Sequence, residues 1–91
     1  MENVNLLPLL KLNLQITSNA YDTLLTHDLG AAEKMIVREG ITLTDSVDDS
    51  HLIVMYASYL FEKRNTGEPM PRMLRYALNN RLFAEKGGTD V

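Results

Sequence analysis

Two histidines and several aspartates are the side chains in this sequence that best suit metal binding or acid–base chemistry. His27 and His51 stand in different predicted helices, and no third histidine is present. A zinc site usually needs three or four ligands, so the fold would have to bring carboxylates such as Asp28 or Asp48 beside both histidines. The aspartates before His51 lack the glycine and terminal glutamate of a calcium loop. The pattern therefore predicts no metal site and no cofactor.

Nucleophilic catalysis is not indicated either. The chain has no cysteine, and Ser46, Ser50 and Ser58 have no convincing histidine partner. The sequence also lacks a glycine-rich phosphate-binding loop and a nucleophile elbow. We therefore expect a protein that is not an enzyme.

Three arginines near the C-terminus could contact nucleic acid. Arg72, Arg75 and Arg81 lie on one predicted helix, as in a helix-turn-helix DNA reader. Against this function, the sequence pI is about 5.2, and Pro69 and Pro71 interrupt the turn before the helix. A small helix-turn-helix DNA-binding regulator remains an alternative.

Charge is distributed unevenly along the chain. Residues 1–61 carry three basic and eight acidic side chains, whereas residues 62–86 carry six basic and three acidic ones. Charges of opposite sign at the two ends could bring neighbouring copies together or attract an acidic partner. The same pattern also fits two ordinary solvated faces.

The element that must position these side chains is a central helix at about 48–65. Its run from Leu52 to Phe61 is apolar except for Ser58 and contains no glycine or proline. A helix that is apolar on nearly all sides is buried, and this one is too short to span a bilayer. Ser46 or Asp45 would cap its N-terminus. The other segments should pack around this helix.

Three further helices are predicted, at Asn5–Asn13, Ala20–Glu39 and Pro71–Glu85. Asn5 and Asn19 would cap the first two, and Gly30 would permit a close crossing, a kink or a break. The sequence thus predicts an all-α bundle of one short and three longer helices, with an extended loop at 41–47. Residues 1–86 would form one domain and residues 87–91 a flexible C-terminal tail. The core is assigned to Leu24, Leu25, Leu29, Met35, Leu74 and Leu78, while Met70 and Met73 are the methionines most suited to exposed contacts.

The order of these features resembles a known family of structural proteins. A leucine-rich first helix is followed by Leu14, Ile16, Tyr21 and Asp22, then Ala31-Ala32, Gly40-Ile41, Tyr56, Tyr59, Lys63-Arg64-Asn65 and the segment MPRMLRYALNNRLF from Met70 to Phe83. This layout resembles the small head–tail connector, or adaptor, proteins of tailed phages and prophages. The resemblance covers nearly the whole chain and rests on helix order and core type.

The resemblance implies a structural role in the virion, after assembly in the host cytoplasm. Proteins of this family are α-helical subunits that form a ring, commonly of twelve copies, beneath the portal of the filled capsid. The ring is the platform for the next head-completion, stopper or tail protein, and DNA passes through its lumen without sequence-specific binding. No cofactor, catalytic site or membrane is implied.

Two sets of residues follow as candidates for assembly. Asp28 and Glu33 could meet Arg72, Arg75 or Arg81 of a neighbouring subunit. The resemblance also suggests a portal-docking segment comprising Ala84, Glu85, Lys86, Gly87, Gly88, Thr89, Asp90 and Val91. A third alternative to the connector and the DNA reader is an unrelated small helical dimer, such as an antitoxin-like or adaptor module.

Overall fold

Four α-helices make up most of the structure, a computed structural model that describes residues 6–87. They are α1 at Leu7–Leu14, α2 at Asp22–Arg38, α3 at Val47–Thr66 and α4 at Arg72–Gly87. The predicted all-α fold, with one short and three longer helices, is confirmed. Within residues 6–87 no strand forms, and the segment between α2 and α3 has no regular structure.

Helix α3 is the centre of the bundle, as its apolar sequence predicts. Its contact with α2 is the most extensive in the fold, and it also packs against α1 and α4. Ser46 caps it, because the Ser46 hydroxyl accepts a hydrogen bond of 3.2 Å from the backbone N–H of Asp49. Gly67 ends it with a φ of 72°, in the left-handed region that glycine favours.

The core forms where one face of each surrounding helix meets α3. Its buried apolar side chains are Leu6, Leu10, Leu25, Leu29, Ala32, Ile36, Ile41, Leu52, Ile53, Val54, Tyr56, Ala57, Leu74 and Leu78. Four of the six predicted core leucines and methionines are fully buried, and Leu24 is half-buried. Met35 was wrongly assigned to the core. The buried line on α2 follows Leu25, Leu29, Ala32 and Ile36, which places Met35 at its exposed edge.

Helix α1 is held to both of its neighbours by polar contacts. Pro8 lies in its first turn, where a missing backbone N–H is tolerated. Lys11 Nζ donates to Asn19 Oδ1 at 2.9 Å and lies 2.8 Å from Asp22 Oδ1. Asn13 Nδ2 donates to Ser58 Oγ on α3 at 2.6 Å. These contacts hold α1 against the start of α2 and the middle of α3.

Several predicted helix boundaries need correction. Asn19 does not cap α2, because its side chain binds Lys11, and Tyr21 at the cap position makes no side-chain capping bond. Helix α2 continues through Gly30 without a break. Gly87 is the last residue of α4 rather than the first residue of a tail. The predicted cap Asn5, and residues 88–91 of the predicted tail, lie outside the described residues.

Gly40 allows the chain to turn sharply after α2 and pass beside α4. Its φ is 102°, and a Cβ added there would lie 3.2 Å from Leu82 Cδ1. The following residue, Ile41, is buried in the core. The loop from 41 to 46 is therefore packed against the bundle through its first residue.

Candidate functional site

Within residues 6–87, the two histidines and the neighbouring carboxylates do not come together at one site. His27 is exposed on α2 and His51 is exposed on α3. Among residues 6–87, no group of three or more histidines, cysteines, aspartates or glutamates lies close enough to hold a metal ion. The charged side chains instead form a set of ion pairs that join the helices.

One of two almost fully buried carboxylates is that of Asp49, in the first turn of α3. Asp49 Oδ2 accepts hydrogen bonds from Thr44 N at 2.6 Å and Thr44 Oγ1 at 2.9 Å. Asp49 Oδ1 accepts a hydrogen bond from Arg81 on α4. Only 1% of the Asp49 side chain is exposed. Asp49 lies in the first turn of α3, where a negative charge suits the helix dipole, and it also joins the 41–46 loop to α4.

Arg81 extends this network to the rest of the loop. Its Nη2 donates to the backbone carbonyl of Thr42 at 2.6 Å. Glu85 Oε1 accepts from Thr42 N at 2.7 Å and lies 3.4 Å from Arg81 Nη2. A predicted interface residue, Arg81, and a predicted portal-docking residue, Glu85, therefore belong to one network within the chain.

Two further predicted interface residues, Asp28 and Arg75, also form ion pairs within their own chain. Asp28 is buried on α2 and accepts two hydrogen bonds from Arg64 of α3, at 2.9 and 3.2 Å. Arg75 donates to both carboxylate oxygens of Glu39, at 3.0 and 3.2 Å. These hydrogen bonds raise the pKa of the Arg64 and Arg75 guanidinium groups above the usual arginine value.

The five predicted interface residues are consequently not equivalent. Asp28, Arg75 and Arg81 each have an opposite charge within their own chain, whereas Glu33 is half-buried on α2 and Arg72 is exposed at the start of α4. No acidic residue of the candidate set pairs with an arginine of the set within residues 6–87. Arg72 is the candidate whose charge is best placed for a partner.

An open groove lies between α1 and the N-terminal half of α3. It has a volume of about 650 Å³ and is lined by Leu9, Leu12, Asn13, Asp45, Val47, Ser50, His51 and Val54. Leu12 and Val47 are 75% and 84% exposed. We call this surface the α1/α3 groove. It is mainly apolar, and Asp45 is the acidic residue in its lining.

A second apolar surface lies on the outer side of α4. Met73, Tyr76 and Phe83 are exposed there, with 77% of Phe83 accessible. Their positions, i, i+3 and i+10, place them along one side of the helix. The opposite side of α4 carries Leu74 and Leu78, which are buried against the bundle. We call the exposed row the α4 strip.

The candidate portal-docking residues fall into three groups. Ala84 is exposed near the end of α4, and Glu85 is bound to Thr42 and Arg81. Lys86 and Gly87 complete the α4 backbone. The remaining four candidates, Gly88, Thr89, Asp90 and Val91, lie outside the described residues.

The sequence pattern alone does not predict the α1/α3 groove or the α4 strip. The leucine-rich first helix signalled that α1 needed a second contact, because one face of a short helix cannot bury all of its leucines. Val47, however, falls in the predicted loop at 41–47, and Phe83 falls in the predicted helix Pro71–Glu85. Their exposure depends on how α1 and α4 rotate against α3, which local periodicity does not specify.

Within residues 6–87, no helix combines the length and apolar content needed to cross a membrane. Comparison of the chain with protein-family models, with curated proteins and with solved structures gives no match.

Proposed function

We propose that this chain is a structural subunit of the head–tail connector of a tailed phage or prophage. Copies would form a ring beneath the portal and offer a platform to the next head-completion, stopper or tail protein. The proposal rests on the resemblance in helix order and on one structural observation. That observation is the presence of two exposed apolar surfaces, the α1/α3 groove and the α4 strip, on a domain of 91 residues.

Exposed apolar surfaces of this kind support an assembly function. Single exposed apolar side chains are common on soluble proteins, but contiguous apolar patches often mark contacts with other molecules. The Tyr and Phe of the α4 strip are also residue types enriched at protein–protein interfaces. A subunit held between two neighbours needs such surfaces at two places.

The ion pairs within the chain support the proposed structural function. They connect α2 with α3, the end of α2 with α4, and α3 with α4, so the helices can act as a rigid unit. The pairs are Asp28–Arg64, Glu39–Arg75 and Asp49–Arg81. Rigid subunits lose less conformational entropy when they assemble. The same pairs use the charge of Arg75 and Arg81 within the chain, which weakens the alternative of a DNA reader that relies on those arginines.

The test is the mass of the purified protein, alone and mixed with the portal protein encoded near it. A ring, or a monomer that forms a ring-sized complex on the portal, is the expected result. Deletion of Gly87 to Val91 should abolish portal binding without changing the helical circular-dichroism spectrum. A truncated chain that binds portal normally would disprove the tail assignment, while the mass measurement would still decide the connector role.

Two other outcomes would favour other functions. Tight duplex DNA binding that weakens steeply with salt would favour the DNA-binding regulator. A stable dimer indifferent to portal would favour a small helical dimer. Either result would overturn the connector proposal.

Charge reversal at Arg75 and Arg81 is a poor test of ring formation, because both side chains bind acids of their own chain. Loss of assembly in such a variant could follow from loss of folding. Arg72→Glu is the better test, since Arg72 is exposed.

A further inference from the structure

The α1/α3 groove is a concave apolar surface, and the α4 strip is a row of apolar side chains on a convex helix. The groove is concave and apolar, with Leu9, Leu12, Val47 and Val54 along its walls. The strip is a convex helical edge bearing one long thioether and two aromatic rings. An amphipathic helix that lays spaced apolar side chains into a hydrophobic groove is a common mode of protein recognition.

The charges beside the two surfaces are complementary. Asp45 lines the groove, and its side chain is exposed. No lysine or arginine lines the groove. On the strip, Arg72 is exposed beside Met73, and the exposed neighbours Asn79 and Asn80 are uncharged. Opposite charges at the edge of an apolar contact set its orientation and speed its formation.

The two surfaces cannot meet within one chain. Helix α1 contacts the side of α3 that carries Val54 and Ser58. Helix α4 packs on another side of α3, where Ala77 lies near Leu52 and Met55. The α4 strip faces away from that contact, since Leu74 and Leu78 fill the inner side of the helix. Any pairing of strip and groove must therefore join two molecules.

We infer that the α4 strip of one copy docks into the α1/α3 groove of the next copy, with Arg72 beside Asp45. This contact joins two different surfaces, so a bound pair still offers a vacant groove on one copy and a vacant strip on the other. Repeated contacts of this type produce a closed ring or an open helix. The inference deepens the proposed connector function, since it names the contact between adjacent subunits.

Cysteine cross-linking tests this contact directly, because the chain contains no native cysteine. Ser50 lines the groove, and Asn80 is exposed beside the strip. A Ser50→Cys protein mixed with an Asn80→Cys protein should give a heterodimer with a short bis-maleimide reagent. Ser50→Cys mixed with Val37→Cys is the matched control, because Val37 is exposed on α2, outside both surfaces.

The pattern of products distinguishes this contact from other pairings. A chain carrying both Ser50→Cys and Asn80→Cys should give a ladder of dimers, trimers and larger species, whereas the mixed single variants should stop at the heterodimer. Efficient cross-linking of either single variant to itself would indicate a symmetric contact and overturn the inference. So would a heterodimer yield no greater than that of the control pair.

Substitutions in the two surfaces provide a second measurement. Leu12→Asp or Phe83→Asp should abolish the cross-link while leaving the fold intact, because both side chains are largely exposed. Val37→Asp is the control and should retain it. Arg72→Glu should slow cross-linking about tenfold at low salt. Asp45→Lys in the partner should restore part of that rate, because Asp45 lines the groove.

The outcome is separable from that of the portal experiment. If the expected cross-links form but the protein does not bind the portal protein, the contact is supported and the connector role is refuted. A ring on the portal without these cross-links would support the connector role and refute the contact.

Discussion

Replacement of Asp49 by asparagine should destabilise the fold strongly. The substitution keeps the size of the side chain but removes its charge. It leaves Arg81 facing a neutral group and places an amide near Thr44, whose N–H and hydroxyl both donate to the native carboxylate. The exposed fractions of the two charged side chains, 1% for Asp49 and 26% for Arg81, decide the magnitude.

Removal of one partner from a fully buried ion pair costs about 3–5 kcal/mol. Arg81 is partly solvated and keeps its hydrogen bond to the Thr42 carbonyl, so we expect about 2–3 kcal/mol for Asp49→Asn. A chain of 91 residues has a total stability of roughly 5–14 kcal/mol. For a domain of this size, the loss corresponds to a decrease in Tm of about 10–20 °C.

Urea unfolding followed by circular dichroism measures this change, and Asp48→Asn supplies a matched control. Asp48 lies in the same helical turn but is exposed, so its removal should cost less than about 1 kcal/mol through the helix dipole alone. The double variant Asp49→Asn with Arg81→Met should be less unstable than the sum of its single variants. Equal losses for Asp48→Asn and Asp49→Asn would refute the structural role of the network.

Three further predictions concern the fold. Asp28→Asn should lower the free energy of unfolding in urea by about 1–3 kcal/mol. This is less than for a fully buried ion pair, because the partner Arg64 is 45% exposed. A loss within error of zero would contradict the pairing. Gly40→Ala should destabilise the fold more than Gly67→Ala. Both glycines have a positive φ, but only at Gly40 would a new Cβ approach another side chain, that of Leu82, at 3.2 Å. Equal losses of stability would argue against that close contact. Burial, and then the charge of nearby Glu39, raises the pKa of Tyr56 above 10.0. The contribution of Tyr56 to the free energy of unfolding should therefore be fully present below pH about 10 and be lost as the pH rises through the folded-state pKa. Tyr56→Phe should reduce this alkaline loss, as measured by thermal unfolding across pH, and an unchanged alkaline limb would contradict the assignment.

Local sequence determined which segments are helical and where most of them stop. The apolar run from Leu52 to Phe61 had to be a buried helix, because neither a short strand nor an exposed helix accommodates it. Ser46, one of the two predicted caps, begins this helix through capping chemistry that depends on residues close in sequence. These features were readable because each involves groups within a few residues of one another.

The tertiary structure alone decided which charges are available for assembly and which side chains are exposed. The sequence placed Asp28, Arg75 and Arg81 among charged residues suited to an interface, but their partners lie 32 to 36 positions away in the same chain. No local pattern specifies such pairings. The exposure of Leu12 and Phe83 likewise depends on the rotation of α1 and α4 against α3. Helix formation is a local property, whereas ion pairing and surface exposure depend on how the finished helices pack together.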